Sequence, residues 1–418
     1  MKNALTILLL FINVGLISPQ IVLNIEGTEV VFDETGNSNG VNIPRSEPTI
    51  FTYKNNSITA VNSGGYMLQA GDEGPRPSNN NLDGEVITGN TFIWNGTEQT
   101  SWTHALFTGY NINVIIKYNY LLNTPNGIQR KSNGMNESDG VVAYNILKNP
   151  RLGIAVKGIN GIKIYNNTFY SDKTPAQTWR GLIDICINTD AGLNALATGT
   201  KVFNNIFFTK NKVFNIKIHE EECLENFESD YNVFWCEAGE PIFEIAGKSK
   251  TFSQWQALGY DLHSVIINPD FIDLIDFVPN ERLDYGKNLG SELAVGLAID
   301  AKWSTTNPRT TKQNGAWQVG ARLFEVVEVV DTIDLHLNST LIFPNPAKDF
   351  FYILLTDMDL QYRNMKIFDS KGIIIMENSI EYGLNEILLP EKLASGLYSV
   401  VLAADSIGRS VKKLIIID

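Results

Sequence analysis

One short word recurs along the chain. It is written ITGNTF, IKYNYL, VAYNIL, IYNNTF, VFNNIF and SDYNVF, and its copies share Asn90, Asn119, Asn145, Asn167, Asn205 and Asn232. The intervals are 29, 26, 22, 38 and 27 residues. After each copy comes a second short run: HALFTG from His104, GIQRKS from Gly127, GIAVKG from Gly153, GLIDIC from Gly181, FNIKIH from Phe214 and IFEIAG from Ile242. These runs are rich in Ile and Val and bounded by Gly, Asn or Pro. Their apolar residues alternate with period two rather than recurring at three and four.

A repeat of this length made of short strands implies a coil with one turn per copy. A single turn cannot bury its inward face, so the turns must stack. The asparagines fit such a stack. An inward Asn at a bend can bond the amide of the Asn on the next turn, as side-chain amides do in stacked cross-β structures. Variation in the period is expected to come from loops leaving the coil at its corners. The longest are 171–180 and 188–199, which flank the Gly181 run and should form a rim.

The sequence predicts an all-β protein, a solenoid of stacked short strands followed by a small C-terminal antiparallel β-sandwich; the resemblance given below implies that the solenoid is a right-handed parallel β-helix. Residues 1–20 open with Met1-Lys2-Asn3 and an apolar run, ALTILLLFINVGLIS, too short for a spanning helix of ~20 residues and matching a secretory signal peptide. The β-helix is expected over 21–323 and an acidic, β-branched linker over 324–340. From 341 to 418 about seven short strands follow, separated by turns such as Ser370-Lys371-Gly372 and Ala394-Ser395-Gly396. The mature chain is expected to contain no membrane span and to act as a monomer. With only three cysteines the chain is no disulfide scaffold, although Cys223 and Cys236 could pair, and Cys186 reads as a core filler.

The net charge of −13 speaks against nucleic acid as a partner, because a phosphate backbone is bound by an excess of Lys and Arg. It leaves room for a local basic groove. Counting four residues from Gly127 and from Gly153 reaches Lys131 and Lys157, which should stand one above the other. Arg130 adjoins Lys131, Arg151 and Arg180 precede their strands, and His104 opens the strand one rung earlier. Like charges at strand spacing favour the loss of one proton. A lysine in that state could serve as a general base.

The stacked YNN-type rungs resemble the right-handed parallel β-helix proteins of the pectate-lyase-like group. The closing segments INPDFIDLIDFVPNERLDYGKNLGSE and NGAWQVGAR resemble the last turns of secreted bacterial members. PNPAKD at 344–349, DSKG at 369–372, LASGLYSV at 393–400 and the terminal KKLIII resemble the type A C-terminal sorting domain of the type IX secretion system of Bacteroidetes. That second resemblance implies export across the outer membrane, release or attachment at the cell surface, and the type IX machinery as a partner. The first implies a carbohydrate-active protein.

Elimination from a uronate-containing polysaccharide needs a base and a group that neutralises the uronate carboxylate. Lys131 is the expected base, with Lys157 or Arg130 as clamp and His104 nearby. Arg151, Arg180, Trp102 and Trp179 are the expected substrate contacts. Trp94, Tyr110, Tyr118 and Tyr120 are further aromatics that could stack on sugar rings. Asp72, Glu73, Glu137 and Asp139, with Asp83, offer hard oxygen ligands for calcium, the one cofactor considered. Two alternatives stand beside the lyase: a non-catalytic glycan-binding or adhesin-like surface protein, and a glycoside hydrolase using Asp184 and Asp190 as paired carboxylates.

Overall fold

The computed structural model describes residues 21–416 except 37–39, 44–48, 64, 71–81, 84, 97–102, 110, 133–138, 178–179, 303–307, 314, 325–328, 331–339, 344, 346, 356–361, 370–371, 382, 391–392 and 405–407. The expected signal peptide and most of the expected linker lie outside these residues. Two compact units divide the chain, Met1–Ile333 and Asp334–Asp418.

The first unit is a parallel β-helix. Among the described residues its coils build three sheets of eight, nine and nine strands. One coil shows the pattern. Ile115–Lys117 lies in the first sheet, Tyr120–Leu122 in the third, and Asn126–Lys131 in the second. Each pairs in parallel register with the equivalent strand one coil later, at Val141–Ala143, Ile146–Lys148 and Leu152–Lys157. Three short strands per coil, alternating in and out, give the observed period of two.

The repeated word is the bend between the first and third sheets. Its fourth letter, the shared asparagine, forms the ladder. Asn119 donates from its backbone N–H and from Nδ2 to Asn145 Oδ1, both at 2.9 Å. Asn145 does the same to Asn167, both at 3.0 Å. The series begins one coil earlier than the sequence suggested, at Asn56, whose N–H reaches Asn90 Oδ1 at 2.8 Å. It ends at Asn232, whose Nδ2 donates to Asp261 Oδ1 at 2.8 Å. Asp261 is buried and also accepts from Ser229, Ser264 and Trp255. Burial raises its carboxyl above the ordinary value, and these four donors offset part of the rise.

The third letter of the word, just before that asparagine, has a different task. Tyr118, Tyr144, Asn166 and Asn204 all take left-handed backbone conformations, with φ between 52° and 58°. Their side chains hold residues 287–295 and 318–320, which return along the bends instead of adding coils. The Tyr118 hydroxyl donates to Val295 O at 2.8 Å and the Tyr144 hydroxyl to Leu293 O at 3.0 Å. Asn166 Nδ2 donates to Gln318 O at 2.7 Å, and Asn204 Nδ2 to Lys287 O at 2.9 Å. The segment that resembles the last turns of β-helix proteins is therefore a strap over the bends.

Inside, apolar columns run along the axis. The rings of Phe169 and Phe207 stack at 4.8 Å and those of Phe207 and Phe234 at 4.9 Å. The open end of the last coil is covered by the antiparallel strand Lys248–Thr251 and the helix Phe252–Gln256, whose Trp255 stacks on Phe243 at 4.7 Å. Covering the edge in this way blocks further strand addition.

The second unit is an antiparallel β-sandwich of a three-stranded and a four-stranded sheet among the described residues. Phe351, Ile353, Met365, Ile367, Val400 and Leu414 fill it. The possible Cys223–Cys236 bridge does not form: all three cysteines are free and buried. Among the described residues no helix is long and apolar enough to cross a membrane.

Candidate functional site

The second sheet carries the candidate chemistry on its outer face. Alternation sends Ile128, Ile154, Val156, Ile183, Ile185, Ile216 and Ile218 into the core. The other parity faces out. Lys131 pairs in register with Lys157, and Lys157 with Cys186. His219 continues the row, its N–H donating to Ile185 O at 2.9 Å. Gly109 precedes Lys131 in the row and adds no side chain. A neighbouring outward row runs Ala155, Asp184, Lys217, Glu244.

Two ion-paired groups sit on this face. In the first, Lys131 Nζ lies 2.7 Å and Lys157 Nζ 2.9 Å from the same oxygen, Asp190 Oδ2. Lys157 also reaches Asp190 Oδ1 at 2.9 Å. Lys131 is buried, its ammonium 5.9 Å from the centre of the Phe107 ring, whereas Asp190 is 41% exposed. Partial burial alone would raise the Asp190 carboxyl, but the two lysines outweigh it and hold it below the ordinary value.

Asp190 arrives on the loop that follows the Ile183–Cys186 strand. Asn188 and Ala195 close that loop as a bridge, and Asn188 Nδ2 donates to Ser132 O. The contact requires Gly158. Its φ is +71°, and a Cβ there would lie 2.8 Å from Asn188 Cβ and 2.9 Å from Ala195 O. Gly158 thus lets the loop come down on the lysines.

In the second group, Asp184 is fully buried beneath two partly exposed basic side chains. Arg180 Nη1 lies 2.6 Å from its Oδ2, and His219 Nε2 lies 2.8 Å from its Oδ1. Cys186 Sγ lies 3.8 Å from Arg180 Nη1. Cys186 is therefore on the outer row, not in the core as its composition suggested. Burial and the charge of Asp184 push its thiol up to about 12 despite Arg180, so it is no thiolate at neutral pH.

The remaining candidates are placed as follows. Arg130, expected beside Lys131 as a clamp, has the opposite parity. It is 1% exposed and donates to Thr108 Oγ1 at 2.6 Å inside the coil. His104 pairs in register with Asn126, five positions from the Lys131 row, roughly 17 Å along the strand. Its ring packs on Tyr66 at 5.1 Å. Arg151 lies before its strand and lines an open groove of about 860 Å³ with Asn123, Lys173 and Gln177, at the far end of the sheet from Lys157. Trp94 is a core residue, and the Tyr118 and Tyr120 hydroxyls bond Val295 and Ile275, so these three are not platforms for sugars. Trp102, Trp179, Tyr110, Asp72, Glu73 and Glu137 lie outside the described residues, as does the Asp83 side chain. Asp139 is exposed on a left-handed turn. Among the described residues no three His, Cys, Asp or Glu side chains are grouped to hold a metal.

His219 is the residue that sequence reading passed over. Its signal was faint: it follows Lys217 by two at the end of FNIKIH, so it shares that outward parity.

Residues 341–417 match the family model described as the secretion system C-terminal sorting domain. No curated protein and no solved structure matches the chain. The protein is an exported parallel β-helix protein, carried by the type IX secretion machinery through its C-terminal sandwich to the cell surface or the medium.

Proposed function

We propose that this protein belongs with the pectate-lyase-like carbohydrate-active β-helix proteins, holds a uronate-containing polysaccharide on the outer face of its second sheet, and cleaves it by β-elimination. The observation that carries the reading is the single carboxylate shared by Lys131 and Lys157. Asp190 stands where a uronate carboxylate would stand, with the same charge and the same two partners. Asp190 is 41% exposed and arrives on a loop, so a substrate carboxylate can replace it without leaving the buried Lys131 charge unpaired. In this reading both lysines neutralise the carboxylate next to the scissile C–H, which is where elimination develops negative charge. That differs from the role as base expected for Lys131, since Asp190 now answers the repulsion on which that role rested.

A hydrolase would need an exposed acid and base. Asp184 has no exposed surface and both Asp184 and Asp190 are already ion-paired. The non-catalytic alternative gains from the same arrangement, because two lysines that share one carboxylate keep a net positive charge and can bind and release a polyanion without chemistry.

The test is incubation of the full chain with polygalacturonate, alginate and chondroitin sulfate, with and without calcium, following ultraviolet absorbance of the new C=C bond. A rise that is lost in the Lys131→Ala, Lys157→Ala double variant is the expected result. New reducing ends without absorbance indicate hydrolysis. Retention on immobilised polymer with neither indicates binding alone. No response in any assay removes the proposal.

A further inference from the structure

The same face holds a group suited to accept the proton. We propose that His219 is the general base of this site, positioned by Asp184, while Lys131 and Lys157 hold the substrate carboxylate. The inference rests on the elimination reading and adds to it a residue and a role.

Geometry leads. Asp184 is fully buried and fixes the ring through His219 Nε2 at 2.8 Å. With Nε2 donating, the neutral imidazole keeps its lone pair on Nδ1. That nitrogen has no hydrogen-bond partner among the described residues, and the side chain is 26% exposed. The ring is thus held from below and open above, the arrangement by which a buried carboxylate orients a catalytic histidine. His219 stands two rungs from Lys157 in one row, roughly 10 Å between backbones, with Cys186 between. Both side chains can project toward one sugar across that gap. Arg180, on the other oxygen of Asp184, supplies a third cation.

The charged and titratable groups around His219 are Asp184, Arg180 and Cys186 from the preceding coil, Lys217 and Glu220 on its own segment, and Glu244 on the next. Cys186 does not compete for the proton or act as a nucleophile, because its thiol stays protonated.

His219 Nδ1 takes the proton on C5 of the uronate, and the C–H electron pair becomes the C4=C5 double bond. The C4–O bond breaks, and the departing oxygen takes a proton from water. The imidazolium then returns its proton to solvent.

His219→Gln in the full chain is expected to lower kcat by ~10²–10⁴-fold, with retention on the immobilised polymer unchanged. Asp184→Asn is expected to lower kcat with KM nearly constant and to displace the acidic limb of the pH–rate profile. Lys157→Ala is expected to weaken retention, a loss His219→Gln does not show. Elimination at full rate in His219→Gln, in a chain whose thermal unfolding matches wild type, overturns His219 as base and leaves the function intact. Should His219→Gln misfold, His219→Ala with added imidazole decides instead: restored turnover supports the role, and none overturns it. No elimination by wild type on any of the three polymers overturns both.

Discussion

Lys157 stands one rung from Lys131 in the register of the second sheet, and both ammonium groups close on a single oxygen of Asp190, at 2.9 and 2.7 Å. Two cations that the fold forces together are thus met by a carboxylate 33 residues beyond Lys157. The loop that brings it also decides what may approach the lysines.

Removing that carboxylate should be visible in stability and in binding. The folded-state value of Asp190 lies below the ordinary 3.8, so its contribution is present above that value and is lost as pH falls through the folded one. Asp190→Asn is expected to lose a small increment near neutral pH, small because the carboxylate is 41% exposed. The difference from wild type should vanish in strong acid. Retention on an anionic polymer should rise. Denaturant titrations across pH, with column retention at fixed salt, measure both.

Gly158→Ala should lift the loop. The left-handed backbone and the crowding by Asn188 and Ala195 act together, and a loss greater than ~1 kcal/mol is expected. Gly247 has a similar φ of +74° with nothing within 4 Å of the added carbon. Gly247→Ala therefore isolates the backbone strain, and equal losses in urea unfolding would refute the crowding argument.

Asn145→Ala should break the ladder in the middle. It leaves the N–H and Nδ2 of Asn119 without their acceptor in a buried bend. Each stranded donor costs ~1–3 kcal/mol, so a loss on the order of 2–4 kcal/mol is expected by thermal or chemical unfolding. A change under about 0.5 kcal/mol, the size of an ordinary surface substitution, would mean that the ladder is decoration.

Lys117 is a buried lysine of the first sheet, its ammonium 5.9 Å from the centre of the Tyr165 ring. Burial lowers it from 10.5 to about 8. The unfolded chain therefore binds the extra proton between those values, and stability rises with pH across that window. Below about 8 the charged form carries the full burden. Lys117→Met is expected to stabilise the neutral-pH protein by on the order of 3 kcal/mol, with the gain fading toward pH 10.5. Unfolding midpoints over that range test the sign.

Much of this was legible in the sequence. Period-two runs and the recurring asparagine at a period of one turn point to a coil, because a single turn cannot bury its inward face and must stack on the next. The Lys131–Lys157 stack follows from counting along two equal strands. The next coil defeats the same count: register sets Leu182, not Gly181, opposite Gly153, so the slot shifts by one and receives Cys186. Arg130 follows alternation instead of charge: one position before Lys131, it points into the coil. The pairing of Asp190 with the lysines and the part of His219 are not legible for another reason. Each acts through a contact 33 or 35 residues away, whose partner depends on how a loop or a coil seats.

The strap has a consequence for how such a molecule can change over generations. Many stacked folds gain or drop a unit freely, since each touches only its neighbours. Here residues 287–295 and 318–320 meet the third letter of four successive bends, at Asn204, Asn166, Tyr144 and Tyr118. A duplicated unit within that stretch would leave one clasp empty-handed and pull the others out of step. The returning segment works as a ruler, and it holds the number of storeys beside the lysines constant.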